Sequence, residues 1–174
     1  MIFKSGSMPD NKKNRIKMDL KGEERFGPVL SRLYTLFSRG GALGETLLQQ
    51  RASTKYHSKA KWANTCCSHP RPGEANEAAA ERRLVEEMGI KAKLEERFVF
   101  PYHAEVGSGL TEQEYDHIFF GRYNGEPKPN KDEVQGWRWV SIKEFSRWVK
   151  EKPEDFAAWV VLMADRFVEE AKKY

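Results

Sequence analysis

Apolar residues crowd the stretch from Val29 to Phe37. After a break at Arg39-Gly40-Gly41 they resume in Thr46-Leu47-Leu48-Gln49-Gln50-Arg51. Short apolar runs bounded by glycine signals read as two strands joined by a turn. The following stretch, Ala52 to Lys61, is polar and basic, and it leads into Trp62-Ala63-Asn64-Thr65-Cys66-Cys67-Ser68-His69-Pro70 and a further break at Pro72-Gly73. An irregular, functional loop is expected here. Glu74 to Met88 is rich in Ala, Glu, Arg and Leu, with Ala80, Leu84 and Met88 spaced by four and Gly89 behind them, so a helix is expected to end at Gly89. Apolar or alternating runs around Arg97–Ala104, Tyr115–Tyr123 and Gly136–Val140 predict further strands, separated by turn signals such as Asn124-Gly125-Glu126-Pro127. Helical spacing returns over Ile142–Lys150 and Phe156–Lys173, the first opened by Ser141 with Glu144 as a capping box. The order is a strand-rich core, one central helix and a helical C-terminus, without internal repeats.

A length of 174 residues suits one catalytic unit with a sizeable core. Residues 1–19 read as an arm or tag outside the fold, with Ser5-Gly6-Ser7-Met8 resembling a tag remnant, and 20–174 as a single domain. No stretch approaches the roughly 18 consecutive apolar residues of a membrane span. The net charge of +4 suits a small anionic ligand and is too diffuse to argue for nucleic acid. Cys66 and Cys67 are adjacent and do not form a disulfide framework, so a reducing cytoplasm is expected. Monomer and homodimer both remain open.

Three constellations could carry chemistry. The central helix bears Glu74, Arg82, Arg83, Glu86 and Glu87, with residues 83 and 87 on one stripe. Such a stripe reads either as solvated ion pairs or as a carboxylate and an arginine that hold a divalent cation against a diphosphate. The segment Thr111-Glu112-Gln113-Glu114-Tyr115-Asp116 alternates so that its three carboxylates share a face. That face is either an acidic edge in water or a place where a proton or cation relieves repulsion. The third is the segment from Asn64 to Pro70, with its thiol and imidazole.

The helix fits a degenerate Nudix box: Ser68 stands in the usual Gly place, and Glu74, Arg82, Leu84, Glu86, Glu87, Gly89 and Ile90 fit. Arg83 replaces a usual Glu, which weighs against hydrolysis. Together with Asn64–Pro70, Gln50-Arg51-Ala52, Lys55, Trp62, Glu112, Glu114 and Trp159, this box resembles the type I isopentenyl diphosphate isomerases from about Leu36 to Trp159. The resemblance implies an α+β chain, a Nudix-like α/β/α sandwich with a mixed central sheet, a degenerate Nudix helix and C-terminal helices. It implies an isomerase that moves the double bond of a prenyl diphosphate by protonation and deprotonation, converting isopentenyl to dimethylallyl diphosphate. Cys67 and Glu114 are then the proton-transfer groups, with Tyr102 assisting. Arg51, Lys55 and Arg83 hold the diphosphate, where cationic forks suit phosphate oxygens. Glu87 contributes to a cation, normally Mg2+, bridging enzyme and diphosphate. Trp159 offers a ring face to a carbocation, the alternative being simple core. His69, Glu112 and Glu114 are ligands of a second divalent metal.

That second metal is left open, because the family's two further histidines have no counterpart between Lys21 and Phe37, where no histidine occurs. Val29-Leu30-Ser31-Arg32 replaces a His-Arg-Ala-Phe-like stretch, Lys59 and Lys61 enter the loop before Trp62, and Ala158 stands where Pro is common. The alternatives are therefore an enzyme isomerising or cyclising a longer prenyl diphosphate, a Nudix hydrolase, and an inactive binding protein.

Overall fold

A computed structural model describes residues 30–39, 44–55, 57–105 and 111–174; for 30–39, 102, 104–105 and 111–113 only the backbone path is described. The arm over 1–19 and the segment around Val29 lie outside the described residues. The elements run β1 (Leu30–Arg39), β2 (Glu45–Arg51), β3 (Trp62–Ala63), β4 (Cys66–Ser68), α1 (Asn76–Met88), β5 (Leu94–Glu105), β6 (Thr111–Arg122), β7 (Val134–Ser141), α2 (Ile142–Glu151), a 3-10 turn (Pro153–Asp155) and α3 (Ala158–Ala171).

Among the described residues the strands form one seven-stranded mixed sheet with the path β3-β2-β1-β6-β5, β4 pairing with β1 and β7 with β2. The β1–β6 pair is parallel and the others are antiparallel. Side chains alternate across the sheet and split the core in two. Leu47, Cys66 and Phe119 pack with Ala80, Leu84 and Met88 of α1. Leu48, Ile118 and Phe120 pack on the opposite face with Phe145 of α2 and Trp159, Met163 and Phe167 of α3. Helices on both faces of a mixed sheet make the expected α/β/α sandwich, which buries the apolar side chains of each strand on either side.

The segment expected to be an irregular loop differs. Its first half, through Lys61, is non-repetitive, with Ser58 at φ 47° and Ala60 at φ 57°. Its second half contains β3 and β4, because the amides and carbonyls of a segment that crosses the sheet need partners and find them on β2 and β1. Thus Cys67 lies opposite Tyr34 in the sheet register.

Helix α1 ends in the left-handed turn expected of Gly89, at φ 65°, with Gly89 N–H donating to the Val85 carbonyl at 3.0 Å. The chain from Lys128 to Asn130 then crosses this end: Lys128 N–H reaches the Met88 carbonyl at 2.8 Å and Asn130 N–H the Glu87 carbonyl at 2.9 Å. The approach is so close that a Cβ on Gly89 would lie 2.6 Å from the Lys128 carbonyl oxygen. At α2, Ser141 Oγ accepts from Glu144 N–H at 3.0 Å, but the Glu144 carboxylate bonds to Arg138 at 2.8 Å and leaves the reciprocal half of the box unmade. None of the described helices is long and apolar enough to cross a membrane.

Candidate active site

The site is assembled where β2, β4 and β6 meet the ends of α1 and α3. Strand alternation sends the two cysteines to opposite faces. Cys66 is buried against α1 and Cys67 packs, half-buried, on the side of α3. Neither is in a disulfide. Burial, reinforced by the Glu87 carboxylate, pushes the Cys66 thiol well above the usual range and keeps it neutral. Two adjacent thiols thus have different surroundings.

His69 follows β4, and its Nε2 stands 3.6 Å from Oε1 of Glu114. Glu114 is 2% exposed and Asp116 0%. The alternative of an acidic strand edge in water is therefore overturned: this face of β6 lies under α3, and Tyr115 on the other face is the exposed residue. Backbone pairing places Tyr102 opposite Glu114 and Glu112 opposite Ala104, while their side chains are outside the description. His69 and Glu114 thus meet across β1, whereas Cys67, on the same side of the sheet, is in register through Tyr34 with Ile118, four residues along β6 from Glu114.

The second half of the site lies along α1. Arg83 bonds to Glu86 at 2.7 Å and to Glu87 at 2.6 Å, and Gln49 of β2 donates to the other Glu87 oxygen at 3.2 Å. Glu87 is 3% exposed, and burial outweighs Arg83 in raising its pKa. Burial also opposes the Arg83 charge, but Glu87 and Glu86 more than compensate and hold that guanidinium protonated. Arg82 instead closes a fork on Glu74, with both bonds at 2.7 Å, and Glu74 is lowered to about 2 by that bond and by the Arg71 amide. The pairs on α1 are therefore only partly the solvated kind: Glu87 is buried, and Arg83 is screened from water on most of its surface.

Arg51 and Lys55 leave the end of β2. The register shift between Gln50 and Arg51 coincides with a change of direction: Gln49 reaches α1, whereas the Arg51 guanidinium lies 5.4 Å from the ring centroid of Trp159 on α3. Trp159 is fully buried, meets the edge of His57 at 5.7 Å between ring centroids, and donates its Nε1–H to Asn64 Oδ1 at 3.1 Å. Arg51 in turn bonds to the His57 carbonyl at 3.4 Å. Lys55 turns the other way, to Glu133, which also lies 3.5 Å from Arg83.

Glu133, Gln49 and His57 contact the candidate residues without having been singled out in the sequence, and Asn64 was singled out there only as part of a motif. Lys55 and Glu133 are 78 positions apart. The Asp132-Glu133 pair before β7 carried no signal of its own. A faint one existed for Asn64, which stands in the Asn64–Pro70 segment.

Glu86 and Glu87 of α1 and Glu133 before β7 each pair with Arg83, and of the three Glu87 is the buried carboxylate, an oxygen donor of the kind a hard divalent cation takes. At His69 the described donors are His69 and Glu114; no group of three or more potential ligands forms among the described residues.

The NUDIX domain family matches residues 32–160. Isopentenyl-diphosphate Delta-isomerase 2 of Aromatoleum aromaticum is 48% identical over 122 residues, 70% of this chain and 65% of that protein, a little under two thirds of its length. Isopentenyl-diphosphate Delta-isomerase of Serratia proteamaculans is 40% identical over 147 residues, 84% of this chain and 82% of that protein. Among solved structures, the MutT protein from Methanosarcina mazei Go1 superposes with a TM-score of 0.66 at 21% identity, over 82% of this chain and 95% of that one, a likeness of fold. With the Nudix-like sandwich and the helix motif both in place, these relationships make the chain a member of the isopentenyl-diphosphate Delta-isomerase family, built on the NUDIX domain.

Proposed function

We propose that this protein converts isopentenyl diphosphate to dimethylallyl diphosphate. The observation that carries this reading is the contact of His69 with the buried Glu114, with Cys67 packed on the same α3 side of the sheet and a separate cationic and carboxylate cluster on α1. The reaction needs both parts. A proton is added to the terminal methylene carbon, a tertiary cation develops, and a proton leaves the carbon on the diphosphate side, so the double bond shifts with no net change in atoms. Cys67 and Glu114 are the two groups that give and take these protons, with Tyr102 assisting. A positioned acid and base contribute typically 10²–10⁴-fold each.

Arg51, Lys55 and Arg83 hold the diphosphate, which fixes the alkene relative to the thiol and carboxylate. The family generally uses a divalent metal. Here Glu87 would hold Mg2+, which neutralises diphosphate charge, and His69, Glu112 and Glu114 would hold a second divalent ion. Trp159 backs the reacting end, where its ring favours positive charge. The thiol chemistry suits a cytoplasmic setting.

Incubation with isopentenyl, geranyl and farnesyl diphosphates and Mg2+ in deuterated water tests the reading. Deuterated dimethylallyl diphosphate is expected from the first, with turnover reduced by several orders of magnitude in Cys67→Ala and in Glu114→Gln. Deuterium appearing only in a longer or cyclised product would move the activity to another prenyl diphosphate, and release of phosphate or pyrophosphate would indicate a hydrolase.

A further inference from the structure

Glu133 is the one acidic side chain among the described residues that contacts both Lys55 and Arg83. Its two oxygens are divided between them: Oε2 pairs with Lys55 Nζ, and Oε1 lies 3.5 Å from Arg83 Nη2. The two cations come from unrelated elements, the loop after β2 and the body of α1. A carboxylate set between two cations makes the same kind of contact that a phosphate oxygen pair would make with them.

The main chain holds Glu133 there from both sides. Its carbonyl accepts from Ala52 N–H at 2.9 Å, its own N–H donates to Asn130 at 3.0 Å, and Asn130 is tied to the Glu87 carbonyl at 2.9 Å. The carboxylate is therefore carried on a fixed base, while the side chain keeps 23% of its surface in solvent and can rotate away.

We propose that Glu133 is an internal counter-anion of the diphosphate cradle, holding Lys55 and Arg83 in the free enzyme and yielding both to the diphosphate when substrate binds. The inference rests on the reading of Lys55 and Arg83 as diphosphate-binding residues. Two consequences follow from simple competition. Part of the attraction between cradle and ligand is spent in releasing Glu133, so the carboxylate weakens ground-state binding. It also discriminates by charge: a ligand with one negative charge gains little by exchanging with a carboxylate, whereas a diphosphate with two or three displaces it.

The test uses the full chain and inorganic pyrophosphate, titrated calorimetrically without divalent cations at fixed ionic strength. Glu133→Gln keeps the shape and removes the charge; it is expected to bind pyrophosphate at least fivefold more tightly than the wild type, and Glu133→Ala should change affinity in the same direction. In the isomerase assay the KM of Glu133→Gln for isopentenyl diphosphate is expected to fall, whereas a role in merely ordering the two cations would raise it. Equal or weaker pyrophosphate binding by Glu133→Gln and Glu133→Ala overturns the proposal. Lys55→Gln and Arg83→Gln separate the two levels: if they bind pyrophosphate like the wild type, the reading of the cradle itself fails and the proposal falls with it. If they bind more weakly while Glu133→Gln is unchanged, only the counter-anion is refuted.

Discussion

Replacing Trp159 by Phe separates what that ring does for the fold from what it does for the reaction. The side chain is fully buried, its Nε1–H bonds to Asn64 Oδ1 at 3.1 Å, and Arg51 lies over it at 5.4 Å. Phenyl keeps a π face but loses the N–H and roughly 40 Å³ of volume, which at about 24 cal/mol per Å³ of residual cavity is about 1 kcal/mol. Asn64 is itself 0% exposed, so its oxygen is left without this donor, at about 1–3 kcal/mol. The sum is about 2–4 kcal/mol, or a Tm lower by roughly 5–15 °C for a chain of this size. Urea unfolding followed by circular dichroism gives the first quantity and a thermal scan the second. The ring's contribution to cation stabilisation is smaller, about 1 kcal/mol between indole and phenyl, so kcat should fall by about fivefold with little change in KM. A loss of stability under about 0.5 kcal/mol would refute the packing argument. A large fall in kcat at unchanged stability would show that the ring serves the reaction far more than the core.

Two further perturbations probe what positions the site. Gly89→Ala combines a left-handed backbone with a Cβ 2.6 Å from a carbonyl oxygen, and is expected to cost about 2–4 kcal/mol in chemical denaturation; because the Lys128–Asn130 crossing leads to Glu133, pyrophosphate affinity should change as well. A loss below about 1 kcal/mol would mean that this crossing gives way easily. Glu74, lowered to about 2 from 4.5 by the Arg82 fork, contributes stability that is present above pH 4.5 and lost as pH falls through about 2. Glu74→Gln should therefore show a shallower decline of unfolding free energy between pH 4.5 and 2 than the wild type, and an identical slope would deny the fork any energetic role.

The local grammar of this chain was legible without coordinates. Ala80, Leu84 and Met88 at helical spacing with Gly89 behind them specified α1 and its end, because both depend on neighbours within one turn. Alternation likewise placed Glu114 and Asp116 on a common face of β6. Whether that face met water or core depended on α3, which the chain reaches some forty residues later, and the fold decided for burial. The short strands β3 and β4 escaped notice because two or three residues carry no periodicity; their partners in β2 and β1 define them. The same distance in sequence hid Glu133 from Lys55 and Arg83, and His57 and Asn64 from Trp159. Residue types and spacing named the chemical groups, since motif and helix phase are local properties. The motif singled out Cys67 over Cys66, but which cation meets which carboxylate, and the different surroundings of the two adjacent thiols, were decided only by the packing of the sheet between its helices.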